Sequence, residues 1–360
     1  MTAPTRFLQD IMRQPAEMQR AIEYLTGTGQ DALQQASALI RSVRHVFVTG
    51  IGASWNAALS AGALFDLGAR PVYMQEAGEL LHGTAIPRGA VIVAISRTGR
   101  SIEIVQLLAK AEASGARIIG ITNCADSPLG RESAVAIVVP TKLDHGISVN
   151  AYSTLLIAAS ALASSATAGF ASVAASLLDA IGEAGKRLDT WREQLEESGW
   201  LVAGAPYCFL ARGGSLGSCN ESRLLWEEGV KMPATAMSTS SFRHGPQEIV
   251  REGMRFCVWL DQTRMRDQDL SVARDLSELG ASVMVIGENI PRDAGGLVCQ
   301  LPPSPVPWQF VIDVLPVQLA AERLSRLSGV DCDSFRICSY VVEDEHGLLG
   351  KKAEASPNAD

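Results

Sequence analysis

The stretch "GAVIVAISRTGRSIEIVQLLAKAEASGARIIGITN", residues 89–123, decides the fold. It starts with a short apolar run at 90–96, continues with apolar residues at helical spacing over 101–115, and ends with a second apolar run at 117–123. Continuous apolar runs of strand length on both sides of a helix are typical of parallel strands that are buried on both faces. The stretch therefore predicts a strand–helix–strand unit of a doubly wound α/β sheet.

The same kind of unit precedes this stretch and recurs after it. "HVFVTG" (45–50) predicts a strand, "SWNAALSAGALFDLG" (54–68) a helix and "RPVYMQ" (70–75) a further strand. Residues 207–229 mirror the first strand–glycine–helix unit, and residues 254–289 mirror 89–123. Such an internal repeat predicts two similar doubly wound parallel-sheet lobes, each a three-layer α/β/α sandwich.

The chain can be divided on this basis. The predicted parts are an N-terminal helical segment (1–34), a first lobe (35–180), a helical connector (181–200), a second lobe (201–346) and a partly disordered tail (347–360). Residues 146–178 carry no charge but consist mostly of Ala and Ser. They predict two buried helices that pack closely through small side chains, in preference to a membrane span. Such uncharged helices would also suit the interface of a homodimer.

Composition excludes several classes of function. The net charge is −8 and no run of lysine or arginine is longer than two residues, which argues against nucleic acid or anionic membrane as a partner. The seven cysteines are scattered and form no CxxC pair, which predicts reduced thiols, a cytoplasmic location and no metal site. Polar and acidic residues interrupt "MTAPTRFLQDIMRQP", so the N-terminus does not resemble a signal peptide.

Two loops at predicted strand ends carry small and hydroxyl residues. "SRTGRS" supplies Ser96, Thr98 and Ser101 where a helix begins, and "GIGAS" (50–54) supplies glycines and Ser54 before another helix. Backbone N–H groups at a helix start, the helix dipole and hydroxyl donors together suit a phosphate, although the same serines also fit simple helix caps. The matching loop of the second lobe has Asp261, which would repel a phosphate, so one phosphate site per chain is expected.

A dinucleotide is a weaker alternative ligand. "GIGAS" lacks the third glycine of the dinucleotide-binding pattern, although Glu76 follows the next strand, where a ribose-binding acid is expected. Because two hydroxyl-rich loops converge, a small phosphorylated ligand fits better than NAD. No cofactor is therefore predicted.

The second lobe contributes acid–base candidates. The helix over 220–231 carries Glu221 and Glu228 on one face, and His244 lies in the turn "TSSFRHGPQEIV" (239–250). Helical glutamates are usually solvated, and a histidine before a Gly-Pro turn fits a helix cap equally well. A carboxylate and an imidazole together would instead serve proton transfer at a sugar carbon and ring oxygen.

These segments resemble the double sugar-isomerase (SIS) domain family, above all the isomerase half of glucosamine-6-phosphate synthase and the related phosphosugar deaminases and deglycases. "GIGAS" and "SRTGRS" resemble the family's phosphate loops, "ESRLLWEEG" with "FRHGP" resembles its catalytic segments, and "SGVDCDSFR" resembles its C-terminal segment. The similarity covers nearly the whole chain. It implies tandem SIS domains and a sugar phosphate substrate.

The resemblance also implies roles for individual residues. Glu228 matches the base that moves a proton between C1 and C2, and His244 matches the histidine that opens the sugar ring from the neighbouring subunit, which implies a homodimer with shared active sites. Arg97 takes the place of a glutamine that also contacts the ligand. The full set of implied substrate and phosphate ligands is Gly52, Ala53, Ser54, Ser96, Arg97, Thr98, Ser101 and Ser148.

One departure from the family pattern concerns the nitrogen chemistry. Where the synthase has a Schiff-base lysine four residues after its arginine, Arg336 is followed by Tyr340, and no lysine lies between Lys231 and Lys351. No glutaminase half accompanies the two lobes, so glutamine is not the expected nitrogen source. The expected activity is isomerisation, deamination or deglycation of a 6-phosphorylated amino or amine-linked sugar. The alternatives are a non-catalytic phosphosugar sensor and, less well supported, a nucleotide-dependent dehydrogenase.

Overall fold

A computed structural model of the protein describes residues 4–345 and 347–348. It contains two five-stranded sheets in which all pairs of neighbouring strands are parallel. The first sheet has the order β2-β1-β3-β4-β5, with β1 Val46–Thr49, β2 Tyr73–Met74, β3 Val91–Ile95, β4 Arg117–Thr122 and β5 Val135–Val138. The second has the order β10-β9-β8-β6-β7, with β6 Tyr207–Ala211, β7 Thr235–Ser238, β8 Arg255–Trp259, β9 Ser282–Gly287 and β10 Leu297–Gln300.

Helices cover both sheets and complete the three-layer lobes. In chain order they are α1 Arg6–Thr26, α2 Gln30–Arg41, α3 Ala53–Leu67, α4 Ala77–Gly83, α5 Ile102–Ser114, α6 Pro128–Glu132, α7 Asn150–Thr167, α8 Ala171–Glu197, α9 Ser215–Leu225, α10 Thr239–Phe242, α11 Arg266–Glu278 and α12 Leu315–Leu327. The strand order relative to the chain is the same in the two sheets, which confirms the predicted pair of similar doubly wound lobes.

Most of the predicted strands and helices lie within a residue or two of their expected places. The strand predicted at 70–75 is the exception, because only Tyr73–Met74 pair with β1. This strand is at the edge of the sheet, and Pro71 near its start has no N–H to donate to a neighbour. The edge strand is consequently reduced to two residues.

The uncharged segment is buried in its first helix, α7, but not in its second, since Ala171, Ser172, Ala175 and Ser176 at the start of α8 are exposed; the prediction of two buried helices is therefore correct only for α7. Almost all of α7 is buried, including the Tyr152 ring, and it packs against α1, α2 and α3. The single 27-residue helix α8 follows and spans most of the predicted connector. The small side chains of α7 therefore serve packing within one chain, so they no longer support an interface between two copies. No helix in the described part of the chain has the length and apolar character needed to cross a membrane.

All seven cysteines lie within the described residues, and none forms a disulfide. Six are partly or fully buried, and only Cys338 is exposed. The predicted tail at 347–360 lies outside the described residues except for positions 347 and 348.

Candidate active site

A cavity of about 160 Å³ lies outside the carboxyl ends of β1 and β3. The chain continues from β1 to one edge of the sheet and from β3 to the other, so the strand order reverses between these two neighbours. Doubly wound sheets usually bind ligands at this position. The cavity contains Glu228 of the second lobe and every ligand residue expected in the first: Gly52, Ala53, Ser54, Ser96, Arg97, Thr98, Ser101 and Ser148. The structure thus brings together all the predicted site residues except His244.

The loop from Ser96 to Ser101 is a tight turn that ends at the start of α5. The Ser96 hydroxyl accepts a hydrogen bond from the Gly99 N–H at 3.1 Å, and the Thr98 hydroxyl accepts one from the Arg100 N–H at 3.3 Å. Gly99 has φ +62°, and a Cβ there would lie 2.3 Å from Ser127 Oγ, so the turn requires glycine. Ser101 occupies the N-cap position of α5 without a side-chain capping bond, which disfavours the interpretation of this serine as a cap.

Arg97 holds the C-terminal segment over this loop. Its guanidinium donates to the Tyr340 carbonyl at 2.9 Å and to the Gly146 carbonyl at 3.4 Å, and it lies 3.9 Å from the centre of the Tyr340 ring. Val342 accepts a further bond from the Ile102 N–H at 3.0 Å. The guanidinium faces the protein in this arrangement, so its contact with a phosphate stays a prediction.

Glu228 enters the cavity from a π-helical turn, Trp226–Val230, that continues α9. Such turns widen a helix by one residue and are frequent at functional sites. Burial raises the pKa of the Glu228 carboxyl to about 7, while the positive charges of Arg97 and Lys231 act in the opposite direction. A carboxyl group that is half ionised near neutral pH is well suited to general base catalysis.

Glu221, the other helical candidate, does not line the cavity. Its side chain is buried between α9 and α3, where it accepts a hydrogen bond from Asn56 Nδ2 at 2.8 Å. Burial raises the pKa of this carboxyl to about 8. The geometry assigns Glu221 to the contact between the two lobes and leaves Glu228 as the carboxylate of the site.

Within one chain, His244 does not line the cavity that contains Glu228. It lies exposed after α10, and its backbone N–H donates to the Ser241 carbonyl at 3.1 Å. The following Gly245 has φ +132°, a conformation that favours glycine and turns the chain sharply. An action of His244 in the site of a neighbouring subunit, and the homodimer this requires, therefore stay predictions.

A buried charged cluster positions the loop that carries Gly146 and Ser148. Asp10 of α1 pairs with Arg13 at 2.7 Å and accepts the His145 N–H at 2.8 Å. Asp144 caps α7 by accepting the backbone N–H groups of Asn150 and Ala151 at 2.9 and 3.0 Å. The contact between Asp10 and His145 joins residues 135 positions apart, so sequence patterns gave no indication of it.

The C-terminal segment supplies the lining residues that sequence reasoning missed. They are Phe335, Cys338, Ser339, Tyr340, Val341 and Val342. The resemblance of "SGVDCDSFR" to a family segment indicated this part of the chain, but nothing in its composition indicated that it folds over the loop from Ser96 to Ser101.

In the second lobe, the loop that matches "SRTGRS" is occupied by one of its own side chains. Asp261 Oδ2 accepts the backbone N–H groups of Thr263 and Met265, both at 3.1 Å, and the Thr263 hydroxyl at 3.0 Å. A carboxylate therefore takes the place that an anion would need, which supports a single phosphate site per chain. Within the described residues, no group of three or more His, Cys, Asp and Glu side chains could hold a metal ion.

Comparison with known proteins agrees with this architecture. Residues 39–165 match the family model of the SIS domain. The chain is 25% identical to glutamine–fructose-6-phosphate aminotransferase (isomerizing) from Aeropyrum pernix over 95% of its own length and 58% of that protein, and 25% identical to the Thermus thermophilus enzyme of the same name, with 92% and 58% covered. The chain thus spans little more than half the length of these relatives.

Solved structures share the fold of the entire two-lobed chain. The C-terminal domain of glucosamine-fructose-6-phosphate aminotransferase from Francisella tularensis has a TM-score of 0.79 at 20% identity, covering 92% of this chain and 98% of that one. Glucosamine-6-phosphate deaminase from Thermotoga maritima has a TM-score of 0.77 at 21% identity, with 94% and 99% covered. Tagatose-6-phosphate ketose/aldose isomerase from Escherichia coli has a TM-score of 0.80 at 20% identity, with 91% and 94% covered.

Proposed function

Since residues 39–165 are a SIS domain and both lobes have its fold, we propose that this chain is an enzyme acting on a 6-phosphorylated amino or amine-linked sugar. The observation that carries the proposal is the position of Glu228 in the same cavity as the hydroxyl-rich loops. A base whose pKa is about 7 and a phosphate-binding turn in one cavity match the needs of a phosphosugar isomerase or deaminase.

In the proposed mechanism, the phosphate binds at the N-terminal ends of α3 and α5. The backbone N–H groups at the two helix starts and the hydroxyls of Ser54, Ser96, Thr98 and Ser101 would hold it, since helix N-termini attract anions. His244 of a second subunit would first protonate the ring oxygen while the anomeric hydroxyl loses its proton, which opens the sugar to its carbonyl form. Glu228 would then remove a proton from one of the carbons C1 and C2 and return it to the other.

The nitrogen belongs to the substrate in this mechanism. Tyr340 takes the position of the family's Schiff-base lysine, and its ring is held under Arg97. Lys231 lies beside Glu228, but its Nζ donates to the backbone carbonyls of Glu228 and Ser334. In an open-chain substrate that carries an amine on the carbon next to the carbonyl, the proton transfer between C1 and C2 itself converts the amine into an imine and the carbonyl into a hydroxyl, so no enzyme lysine is required.

The test is turnover of a panel that contains glucosamine 6-phosphate, N-linked fructosamine 6-phosphates and fructose 6-phosphate, followed by NMR and by assay of released amine. We expect turnover of an amine-bearing member and no lysine adduct after borohydride reduction. Binding of a panel member without turnover would favour the sensor. A lysine adduct that forms during turnover would overturn the proposal that the substrate supplies the nitrogen of the imine.

A further inference from the structure

A second cavity, of about 550 Å³, lies outside the carboxyl ends of β6 and β8 in the second lobe. It is the counterpart of the active-site cavity that the internal duplication creates. The loop from Arg212 to Ser215, where α9 begins, forms one wall, and the last residues of α3, Asp66 and Leu67, form another.

Helices α3 and α9 each reach both cavities because they run antiparallel. Asn56 near the start of α3 bonds to Glu221 near the end of α9, whereas Ser60 further along α3 donates to the Gly214 carbonyl at the start of α9, at 2.6 Å. The helices touch closely, since a Cβ on Gly217 would lie 2.1 Å from Ser60 Oγ. The start of α3 and the π-helical turn that continues α9 therefore line the active site, whereas the end of α3 and the start of α9 line the second cavity.

The same repeat places a carboxylate in both cavities. Ser215 lies as many residues after Ala53 as Glu228 lies after Asp66. Ala53 and Ser215 thus correspond to each other at the starts of α3 and α9, and Asp66 and Glu228 correspond to each other at the end of α3 and in the π-helical turn that continues α9. Asp66 thus has in the second cavity the position that Glu228 has in the active site. The two sites have a common plan and different ligand groups.

The second cavity is not built for a sugar phosphate. Asp261 fills the turn in which a phosphate would bind, and Arg212 is engaged with Asp269 at 2.7 Å. Its walls are largely apolar, with Leu64 and Phe310 on the inside and two strongly exposed side chains on the rim, Leu67 at 69% and Val306 at 59%. Walls of this kind favour a ligand with an apolar body.

Two polar groups of the cavity lack a partner among the described residues. Gln309 is only 2% exposed; its Nε2 donates to the Leu260 carbonyl at 3.1 Å, but its Oε1 accepts no hydrogen bond. Buried acceptors without a donor are rare and costly, so this atom calls for an N–H or O–H group. The Arg264 guanidinium, exposed on the same cavity, forms no ion pair or hydrogen bond with the part of the chain that the structure describes.

We propose that this second cavity binds a small organic anion that has an apolar ring system and one N–H or O–H donor. The donor would bond to Gln309 Oε1, the rings would lie between Phe310 and the rim residues Leu67 and Val306, and the acidic group would pair with Arg264. The Asp66 carboxylate, which also lines the cavity, would repel the anion and weaken its binding. The proposal does not depend on the reaction at the first cavity.

The probe for the test is 8-anilinonaphthalene-1-sulfonate, which has two apolar ring systems, an N–H donor and a sulfonate. We expect a fluorescence titration to show one site per chain. Arg264→Gln should weaken binding about tenfold, the loss typical of a charge-assisted hydrogen bond. Asp66→Asn should strengthen binding by about threefold, since it removes a nearby like charge at an exposed position. Both side chains are exposed, so neither change disturbs the core.

The matched control is Arg251→Gln, an exposed arginine that does not line the cavity, which should leave the titration unchanged. A saturating concentration of glucosamine 6-phosphate should not displace the probe. Competitive displacement by the sugar phosphate, or equal affinity in wild type, Arg264→Gln and Asp66→Asn, would overturn the proposal. Opposite shifts in the two cavity variants with an unchanged control would support it, whether or not the chain turns over any sugar.

Discussion

The protonation state of Glu228 should set the pH dependence of catalysis. With a pKa of about 7, about one tenth of the carboxyl is ionised at pH 6, half at pH 7 and nine tenths at pH 8. A base acts only when it is ionised, so kcat/KM should rise with pH and level off above about pH 8. The rate at pH 6 should be roughly a tenth of the plateau.

Two neighbouring charges allow the origin of this pKa to be tested. Arg97 lowers the pKa of Glu228 and the exposed carboxylate of Glu227 raises it. Arg97→Gln should therefore move the rising limb of the profile to higher pH, whereas Glu227→Gln should move it slightly to lower pH. Opposite shifts from two substitutions to the same residue type exclude a general effect of introducing glutamine.

Glu228→Gln keeps the shape of the side chain and removes the base. Turnover should fall by about 10²- to 10⁴-fold while the affinity for the phosphosugar stays nearly constant. The assay is exchange of the C2 proton with solvent deuterium, followed by NMR with the best substrate of the panel. A variant that exchanges this proton at the wild-type rate, or a pH profile that is flat from 6 to 8, would refute the assignment of Glu228 as the base.

Three further predictions concern other parts of the molecule. Ser96→Ala combined with Thr98→Ala should weaken phosphosugar binding by about 1.5–3 kcal/mol for each lost bond in calorimetry, whereas Thr263→Ala should have little effect. Mixing inactive Glu228→Gln and His244→Asn chains should restore about one quarter of the activity if sites are shared, since random pairing makes half the dimers mixed with one working site in two; no recovery after confirmed exchange would place both groups in one chain. Glu221→Gln should make thermal stability depend less on pH between about pH 5 and 8. The buried carboxyl, with a pKa raised to about 8, holds its proton more tightly in the folded than in the unfolded chain, so the wild type loses stability as the pH rises through this range. Parallel stability curves of wild type and variant would contradict this.

The fold could be predicted because its information is local and repeated. The apolar runs at 90–96 and 117–123 became β3 and β4, since a strand buried on both faces needs little more than a continuous apolar segment. The strand predicted at 70–75 was too long, because pairing at the edge of a sheet depends on which backbone groups lie beside the neighbouring strand. The sequence of a single segment does not reveal this. The hydroxyl-rich loops converged as expected, since the carboxyl ends of parallel strands meet at one edge of the sheet.

What could not be predicted depends on contacts between distant segments. Arg97 was predicted to contact the ligand, and nothing in the sequence indicated that its guanidinium also stacks on Tyr340, more than 240 residues away. The uncharged helices appeared in the sequence as a potential interface between subunits, whereas α7 is buried inside one chain. A run of small residues predicts close packing, but it does not indicate which surface the helix packs against.

The internal repeat also explains why the two cavities have different chemistry despite one plan. In the first lobe, Ser96 holds its turn through one hydrogen bond and leaves the helix start without a negative charge. In the second, Asp261 binds the same kind of turn through three, so the turn is stable without a ligand but closed to phosphate. Replacing Asp261 with serine would remove that internal anion and leave the turn with the kind of hydroxyl found in the first lobe. The end of the facing helix carries a carboxylate in both lobes, Asp66 in one cavity and Glu228 in the other, so this position does not separate their chemistry. The change at the turn is therefore what closes the second lobe to phosphate, because the Asp261 carboxylate already accepts the N–H groups that a phosphate would need.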